Sequence, residues 1–84
     1  MPEERIKEIL ELMDLLLEDN SIPKNIRKVV GDAKNSLKMD DEVSTRVSSA
    51  VQALVQISED INMPMHARTQ VWTILSGLES IQSE

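Results

Sequence analysis

Apolar residues recur along the chain at the three- and four-residue intervals of an amphipathic helix, and they do so in four successive segments. Alternation of apolar and polar residues is never long enough to predict a strand. Prolines suited to a first helical turn open three segments, and an acidic run opens the remaining one. We therefore predict an all-α protein whose helices span about 2–19, 23–38, 42–61 and 64–82.

The apolar positions of each segment lie on one stripe and form the predicted core. They are Ile6, Ile9, Leu10, Met13, Leu16 and Leu17; Ile22, Ile26, Val29, Val30, Ala33 and Leu37; Val43, Val47, Ala50, Val51, Leu54, Ile57 and Ile61; and Ala67, Val71, Ile74, Leu75, Leu78 and Ile81. Leu12 and Leu15 fall outside this stripe and make the first helix apolar over a broader arc. A broad stripe needs a second surface, on a neighbouring helix or on another copy of the protein.

An internal repeat appears when the chain is shifted by 41 residues. The shift superposes Ile22-Pro23 on Met63-Pro64 and Arg27 on Arg68, and it also aligns the stripes of the first and third helices. We predict a single four-helix domain over 1–84, an antiparallel bundle built from two duplicated helical hairpins at about 2–38 and 41–82. A two-repeat solenoid fragment, weakly similar to HEAT-type repeats, is the alternative.

Two segments carry a resemblance to a known family. The stretches SIPKNIRKVV (21–30) and NMPMHARTQVW (62–72) resemble uncharacterised protein family number 0147, a group of small archaeal proteins. The resemblance covers the whole chain and implies a helical fold and a cytoplasmic archaeal source. Because the family has no established activity, it implies no catalytic residues for this chain.

Composition excludes several kinds of chemistry. The 84 residues include no cysteine, so disulfides, thiolate metal sites and cysteine nucleophiles are ruled out. Five of the first ten residues are charged, and no apolar run approaches the roughly 20 residues that cross a bilayer. We therefore expect a soluble cytoplasmic protein with no membrane partner. The net charge of −6 opposes non-specific binding to nucleic acid.

Charge is nevertheless segregated along the chain. Residues 21–38 carry five basic side chains and one acidic one, which makes the second helix the basic element. Lys24, Arg27, Lys28 and Lys34 could contact phosphates, and this is the basis of an alternative function as a nucleic-acid-associated accessory protein. The simpler interpretation is a solvated helix that complements its acidic neighbours.

The fourth helix carries the most unusual predicted surface. With 100° per residue, Trp72 lies at the edge of the apolar stripe, near Arg68 and Met65. Tryptophan, methionine and arginine are enriched at protein interfaces, but a lone tryptophan can equally close a bundle core. We predict that Leu12, Leu15, Met65, Arg68 and Trp72 bind a partner, with a homodimer as the expected oligomer and a further protein partner possible. The structural alternative for Arg27 and Arg68 is that they bridge the hairpin corners.

Candidate catalytic chemistry is sparse. His66 is the sole histidine, and a lone histidine cannot form a zinc site without other ligands. The acidic run Asp40-Asp41-Glu42 does not have the spacing of a calcium loop, so we expect an aspartate there to cap the third helix. We therefore expect no catalytic residues, no metal and no cofactor, and we predict a non-catalytic, self-associating interaction module.

Overall fold

A computed structural model describes residues 2–83, and their only regular elements are four α-helices. The helices are α1 (Pro2–Leu17), α2 (Lys24–Lys38), α3 (Val43–Ser58) and α4 (Met65–Gln82). The all-α prediction is confirmed, and the largest boundary differences are the earlier ends of α1 and α3. Met1 and Glu84, which the predicted domain includes, lie outside the described residues.

Proline precedes two of the helices as the N-cap residue instead of lying in their first turn. Pro23 and Pro64 are the N-cap residues of α2 and α4, and their backbones have almost the same extended conformation, with φ/ψ of −55°/147° and −58°/148°. A proline fixes φ near this value and has no N–H that would need a partner. The predicted aspartate cap of α3 is wrong: its N-cap is Glu42, whose side chain makes no capping bond, and the Asp41 carboxylate accepts the Glu42 N–H.

Each helix packs against two others in a closed cycle. Helix α1 contacts α2 and α4, and α3 also contacts α2 and α4. Their buried side chains form one cluster, consisting of Ile6, Ile9, Met13, Leu16, Ile22, Ile26, Val30, Ala33, Leu37, Val47, Ala50, Leu54, Ile57, Met63, Ala67, Val71, Ile74, Leu75, Leu78 and Ile81. The cluster lies along the middle of the cycle and is wholly apolar, so burial of these stripes is the main force that holds the helices together.

The predicted core is correct except at its edges and at one corner. Leu10, Leu17, Val29, Val43 and Val51 are only partly buried and pack against the cluster from its margin. Ile61 is 90% exposed. The prediction fails there because α3 ends at Ser58, after which the chain turns and the helical spacing no longer determines which side chains face inward.

Met63 occupies the buried corner position instead of Ile61 and is 4% exposed. It stands 41 residues after Ile22, which is buried in the corner between α1 and α2. The repeat therefore contained the signal for this residue, whereas helical periodicity did not. We call the pair α1 and α2, with its corner at 18–23, the first hairpin, and the pair α3 and α4, with its corner at 59–64, the second hairpin.

The two corners share their backbone hydrogen bonds. In the first hairpin, the Asp19 N–H bonds to the Leu16 carbonyl, and the Ile22 N–H bonds to the Asp19 carbonyl. Bonds at positions shifted by 41 residues close the second corner, and the Arg27 and Arg68 amides both donate to the preceding proline carbonyl. The same chain path is thus used twice.

Glycine allows α1 and α4 to approach closely at one point. A Cβ added at Gly77 would lie 3.2 Å from Cδ1 of Ile9, tighter than an ordinary contact. Helices α1 and α4 therefore lie unusually close together at Gly77. At Gly31 the nearest atom would be Cδ2 of Leu17 at 3.8 Å, an ordinary contact distance, so close packing does not require this glycine.

Candidate interaction face

Trp72 lies on the surface of the chain, where 55% of the residue is exposed. The sequence left open whether the ring closes the core or faces outward, and the geometry places it outside the buried cluster. Leaving a large aromatic side chain in water gives up free energy that its burial would release. The residue therefore marks a surface that gains from being covered.

The neighbours of Trp72 on the outside of the second hairpin are also apolar. Met65 precedes Trp72 by seven residues, or two helical turns, and so lies on the same side of α4. That side faces α3, because the Arg68 guanidinium, one turn from the ring, donates to the Asp60 carbonyl in the corner just after α3. On α3, Val55 lies two turns from Ser48, whose hydroxyl accepts a hydrogen bond from Gln82 of α4.

These observations define a surface that we call the α3–α4 face. It consists of Val55, Met65 and Trp72, which are 45%, 69% and 55% exposed; Ile61, which is 90% exposed, lies in the corner that joins the helices. Val55 and Ile61 were not among the predicted partner-binding residues. The repeat could have indicated Val55, because its counterpart 41 residues earlier is the charged residue Asp14.

Carboxylates border the α3–α4 face. Glu79 lies two turns beyond Trp72 on the same line of α4, and Glu59 lies at the end of α3; both are exposed. Arg68 is the cation on this side, but it is partly buried and its Nη2 is 2.6 Å from the Asp60 carbonyl oxygen. Its Nε is buried and has no hydrogen-bond partner among residues 2–83.

The predicted partner-binding residues fall into two groups. Met65, Arg68 and Trp72 lie on the side of α4 that faces α3, whereas Gly77, about 140° away around α4, faces Ile9 of α1. Leu12 follows Ile9 by one turn on α1 and is 36% exposed. Leu15 points further outward and is 55% exposed. The structure does not bring Leu12 and Leu15 together with Trp72.

Contacts within the chain occupy most of the predicted phosphate-binding residues. Lys28 pairs with Asp32 at 3.3 Å, and Lys34 pairs with Asp14 of α1. Arg27 donates from Nε to the Ile22 carbonyl at 3.1 Å. These contacts match the interpretation of α2 as a helix that complements its own chain, and they do not favour the nucleic-acid alternative.

Arg46 has a structural role that sequence analysis missed. Its Nε donates to the Leu37 carbonyl at 2.8 Å near the end of α2, and its Nη1 donates to the Glu3 carboxylate at 2.9 Å. The hydrogen bond from this guanidinium lowers the pKa of Glu3. Since α1, α2 and α3 all meet at this one side chain, Arg46 ties the two hairpins together. It is the only basic residue of 39–60, a distinction that could have drawn attention to it.

A small polar cluster joins the corner of the first hairpin to the start of α4. The Asp19 carboxylate accepts hydrogen bonds from the Ser21 hydroxyl at 2.6 Å and the Ser21 N–H at 2.9 Å, and its other oxygen lies 2.7 Å from Nε2 of His66. These bonds, led by the one from the Ser21 hydroxyl, lower the pKa of Asp19 to about 2. The carboxylate partner of His66 is thus Asp19, which precedes it by 47 residues.

The same three residue types form hydrolytic triads, but the geometry here differs. In a triad the imidazole uses one nitrogen for the serine and the other for the carboxylate. Here Nε2 of His66 faces both Asp19 and Ser21, with Ser21 Oγ at 3.5 Å, and the serine hydroxyl donates to the carboxylate instead. The cluster therefore links the first corner to the start of α4 through side-chain hydrogen bonds.

Residues 2–83 contain no group of three or more histidine, cysteine, aspartate or glutamate side chains placed to hold a metal ion. Within the same range, no helix combines the length and the hydropathy that a bilayer span requires.

Comparison with known proteins places the chain in a family. Residues 1–81 match the sequence model of the uncharacterised protein family UPF0147. The chain belongs to this family. A UPF0147 protein of Archaeoglobus fulgidus is 40% identical over 84 residues, covering all of this chain and 97% of that protein. A UPF0147 protein of Methanothermobacter thermautotrophicus is 45% identical over 83 residues, covering 98% of this chain and 81% of that protein.

Solved structures support the same assignment. The crystal structure of MMP1188, a protein described as of unknown function, is similar with a TM-score of 0.90 and 42% identity, covering 95% of this chain and 92% of that one. A UPF0147 protein from Thermoplasma acidophilum gives a TM-score of 0.88 and 34% identity, covering 94% of each chain. The family's function is uncharacterised, so function must be argued from the surface of this UPF0147 protein.

Proposed function

We propose that this UPF0147 protein is a non-catalytic, self-associating α-helical interaction module whose contact surface is the α3–α4 face. The observation that carries the proposal is the 55% exposure of Trp72. Exposed apolar side chains that lie together on one surface are typical of sites that bind proteins. We expect the module to act in the cytoplasm, as the sequence predicts.

The proposed scaffold is an antiparallel bundle of two duplicated hairpins. Its antiparallel direction is supported by paired contacts: Asp19 after the end of α1 reaches His66 at the start of α4, whereas Ile9 in the first half of α1 lies beside Gly77 in the second half of α4. Duplication is supported by the corner hydrogen bonds that recur at 41 residues. In such a scaffold α3 and α4 lie side by side, so one partner can cover apolar residues of both helices.

The interaction face is tested by sedimentation velocity over a wide concentration range, with Trp72 emission recorded on the same samples. We expect a concentration-dependent dimer whose emission shifts to the blue and is protected from acrylamide as the dimer forms. The variant Trp72→Gln should weaken dimerisation about tenfold or more, because it removes the largest apolar side chain of the contact.

Leu15→Gln is the matched control, because Leu15 is also 55% exposed but lies away from the α3–α4 face. It should dimerise like the unaltered protein. Equal weakening by the two variants would instead extend the contact to α1, as the sequence predicted. A protein that stays monomeric at every concentration, with Trp72 equally accessible throughout, would contradict self-association.

A further inference from the structure

We propose that the α3–α4 face accepts a basic amphipathic helix from another protein, and that this helix competes with the second copy of the chain. The inference rests on the proposed function, because it names the chemistry of the partner that the same face binds. It follows from the charges around the face and from the direction in which its apolar side chains run.

The shape of the face suits a helix. Met65, Trp72 and Glu79 stand at seven-residue intervals along α4, and Val55 lies on the neighbouring α3. The line from Met65 to Glu79 is about 21 Å long at 1.5 Å per residue, which matches a partner helix of about 14 residues. Helices that dock in this way insert apolar residues at spacings of three, four and seven.

The charges of the face select a basic partner. Glu59 and Glu79 are exposed near its two ends, while the Arg68 guanidinium is turned toward the Asp60 carbonyl. Over the second hairpin, residues 43–82, the acidic side chains are Glu59, Asp60 and Glu79, and the other basic side chain, Arg46, is bonded to Glu3 of α1. Lysine or arginine beside the apolar stripe of a partner helix would therefore meet a carboxylate near each end of the face, and such complementarity accelerates association and selects the partner.

A second copy fits the same surface less well. When two copies meet through this face, their apolar parts match, but each presents Glu59 and Glu79 rather than a cation. Like charges at an interface oppose association, and salt screens that opposition. Added salt should thus strengthen the homodimer and weaken the complex with a basic helix, and these opposite responses distinguish the two occupants.

The test uses two designed 18-residue helical peptides that carry the same leucine stripe, no aromatic residue and a fluorescent label. Lysines flank the stripe in one peptide and glutamates flank it in the other. We expect the lysine peptide to bind about tenfold or more tightly than the glutamate peptide at low salt, with a blue shift of Trp72 emission and loss of the homodimer. The difference between the peptides should shrink at high salt.

Variants locate the binding site. Trp72→Gln should reduce lysine-peptide binding about tenfold by label anisotropy, and the double variant Glu59→Gln with Glu79→Gln should reduce it while leaving glutamate-peptide binding no weaker. The matched control is Glu8→Gln with Glu18→Gln, which removes two exposed carboxylates from the first hairpin and includes the counterpart of Glu59. This control variant should still bind the lysine peptide more tightly than the glutamate peptide.

The remaining outcomes contradict the inference, the proposed function or both. Equal or tighter binding of the glutamate peptide, or lysine-peptide binding that Trp72→Gln leaves unchanged, would overturn the inference. If neither peptide binds but the chain dimerises in a Trp72-dependent way, the inference fails and the proposed function stands. If the chain neither dimerises nor binds either peptide, both fail.

Discussion

The two hairpins of this UPF0147 protein bury corresponding positions but present different outer surfaces. Between α1 and α2, the outer groove contains Gly31 and an ion pair between Asp14 and Lys34. The residues 41 positions later are Trp72 and Val55, which belong to the α3–α4 face, and Leu75, which belongs to the buried cluster. A polar groove on one side of the molecule thus corresponds to an apolar one on the other. Since the same scaffold supports both, the fold itself does not require the apolar surface, and our proposal of a partner accounts for it.

The buried positions show a different relationship. Ile26 and Ala33 of α2 correspond to Ala67 and Ile74 of α4, and all four are at most 1% exposed. The large and small side chains have exchanged places, so their combined volume is conserved. Cores tolerate exchanges of this kind well. In the core, the two hairpins therefore differ only in where large and small apolar side chains stand. On the surface, they differ in whether the side chains are polar or apolar.

The largest expected effect tests whether the hairpins share one core. Leu37→Ala and Leu78→Ala change corresponding residues that are both 0% exposed. Each should lower the free energy of unfolding by about 2–5 kcal/mol because each leaves a cavity. Urea unfolding followed by circular dichroism should show one transition in both variants. Two separate transitions in either variant would mean that the hairpins unfold independently.

The next prediction transfers the apolar groove to the first hairpin. The triple variant Asp14→Val, Gly31→Trp and Lys34→Leu gives α1 and α2 the residues of the second hairpin at the corresponding positions. The lost ion pair is partly exposed and contributes little to stability. We expect stronger self-association, by about tenfold, because a second apolar surface is created.

Sedimentation velocity measures that gain. The control variant Asp14→Asn with Lys34→Gln removes the ion pair without adding an apolar surface and should associate like the unaltered protein. Equal association of the triple and control variants would show that apolar residues in this groove are not sufficient to form a contact.

A smaller difference separates the two glycines. Gly31→Ala should stabilise the chain by about 0.5–1 kcal/mol, because alanine favours the helix and its Cβ meets only Leu17 at an ordinary distance. Gly77→Ala should gain less, because Ile9 must move to admit the methyl group. Thermal or urea unfolding compares the two variants directly. A larger gain at Gly77 would contradict the close packing of α1 and α4.

The smallest predicted effect concerns the stability of the folded chain at acidic pH. The pKa of Asp19 falls from its ordinary value of 3.8 to about 2 in the folded chain, first because of the Ser21 hydroxyl and then because of His66. A lowered folded-state pKa contributes stability that is present above about pH 4 and lost as the pH falls toward 2. Ser21→Ala should reduce this loss of stability, which is measured as the fall in the urea midpoint between pH 5 and pH 2.

The counterpart of Ser21 in the other corner provides the control. Asn62→Ala changes a residue that lies outside the Asp19 cluster and should leave this part of the acid dependence unchanged. If Ser21→Ala and Asn62→Ala behaved alike between pH 5 and pH 2, the Asp19 cluster would not be the source.

The sequence predicts the helices well, because apolar residues recur at helical spacing along each one. Every residue of such a stripe indicates the same buried side of the helix. It predicts corners poorly, because a turn removes the periodicity, as Ile61 and Met63 show in opposite ways. Arg46 was missed for a related reason. Its partners, Leu37 and Glu3, belong to other helices, and their proximity depends on how the four helices pack.

The candidate site was only partly predictable. The edge position of Trp72 on its helix follows from spacing, and its exposure agrees with that position. The separation of Leu12 from Trp72 depends instead on which side of α4 faces α1, and one helix considered alone does not determine this. The Asp19 and His66 pair, 47 residues apart, likewise requires the assembled fold.

The end of the molecule opposite the corners contains a cavity of about 330 Å³ whose lining includes Pro2, Val43 and Gln82. The beginning of α1, the beginning of α3 and the end of α4 therefore lie close together. A circular permutant that joins residues 82 and 2 by a short glycine-rich linker and opens the chain within 39–42 should keep all four helix contacts. Its helices would run in the order α3, α4, α1, α2, and retention of the helix contacts, checked by circular dichroism and the urea midpoint, would show that the order in which the ribosome makes the two hairpins does not define the fold.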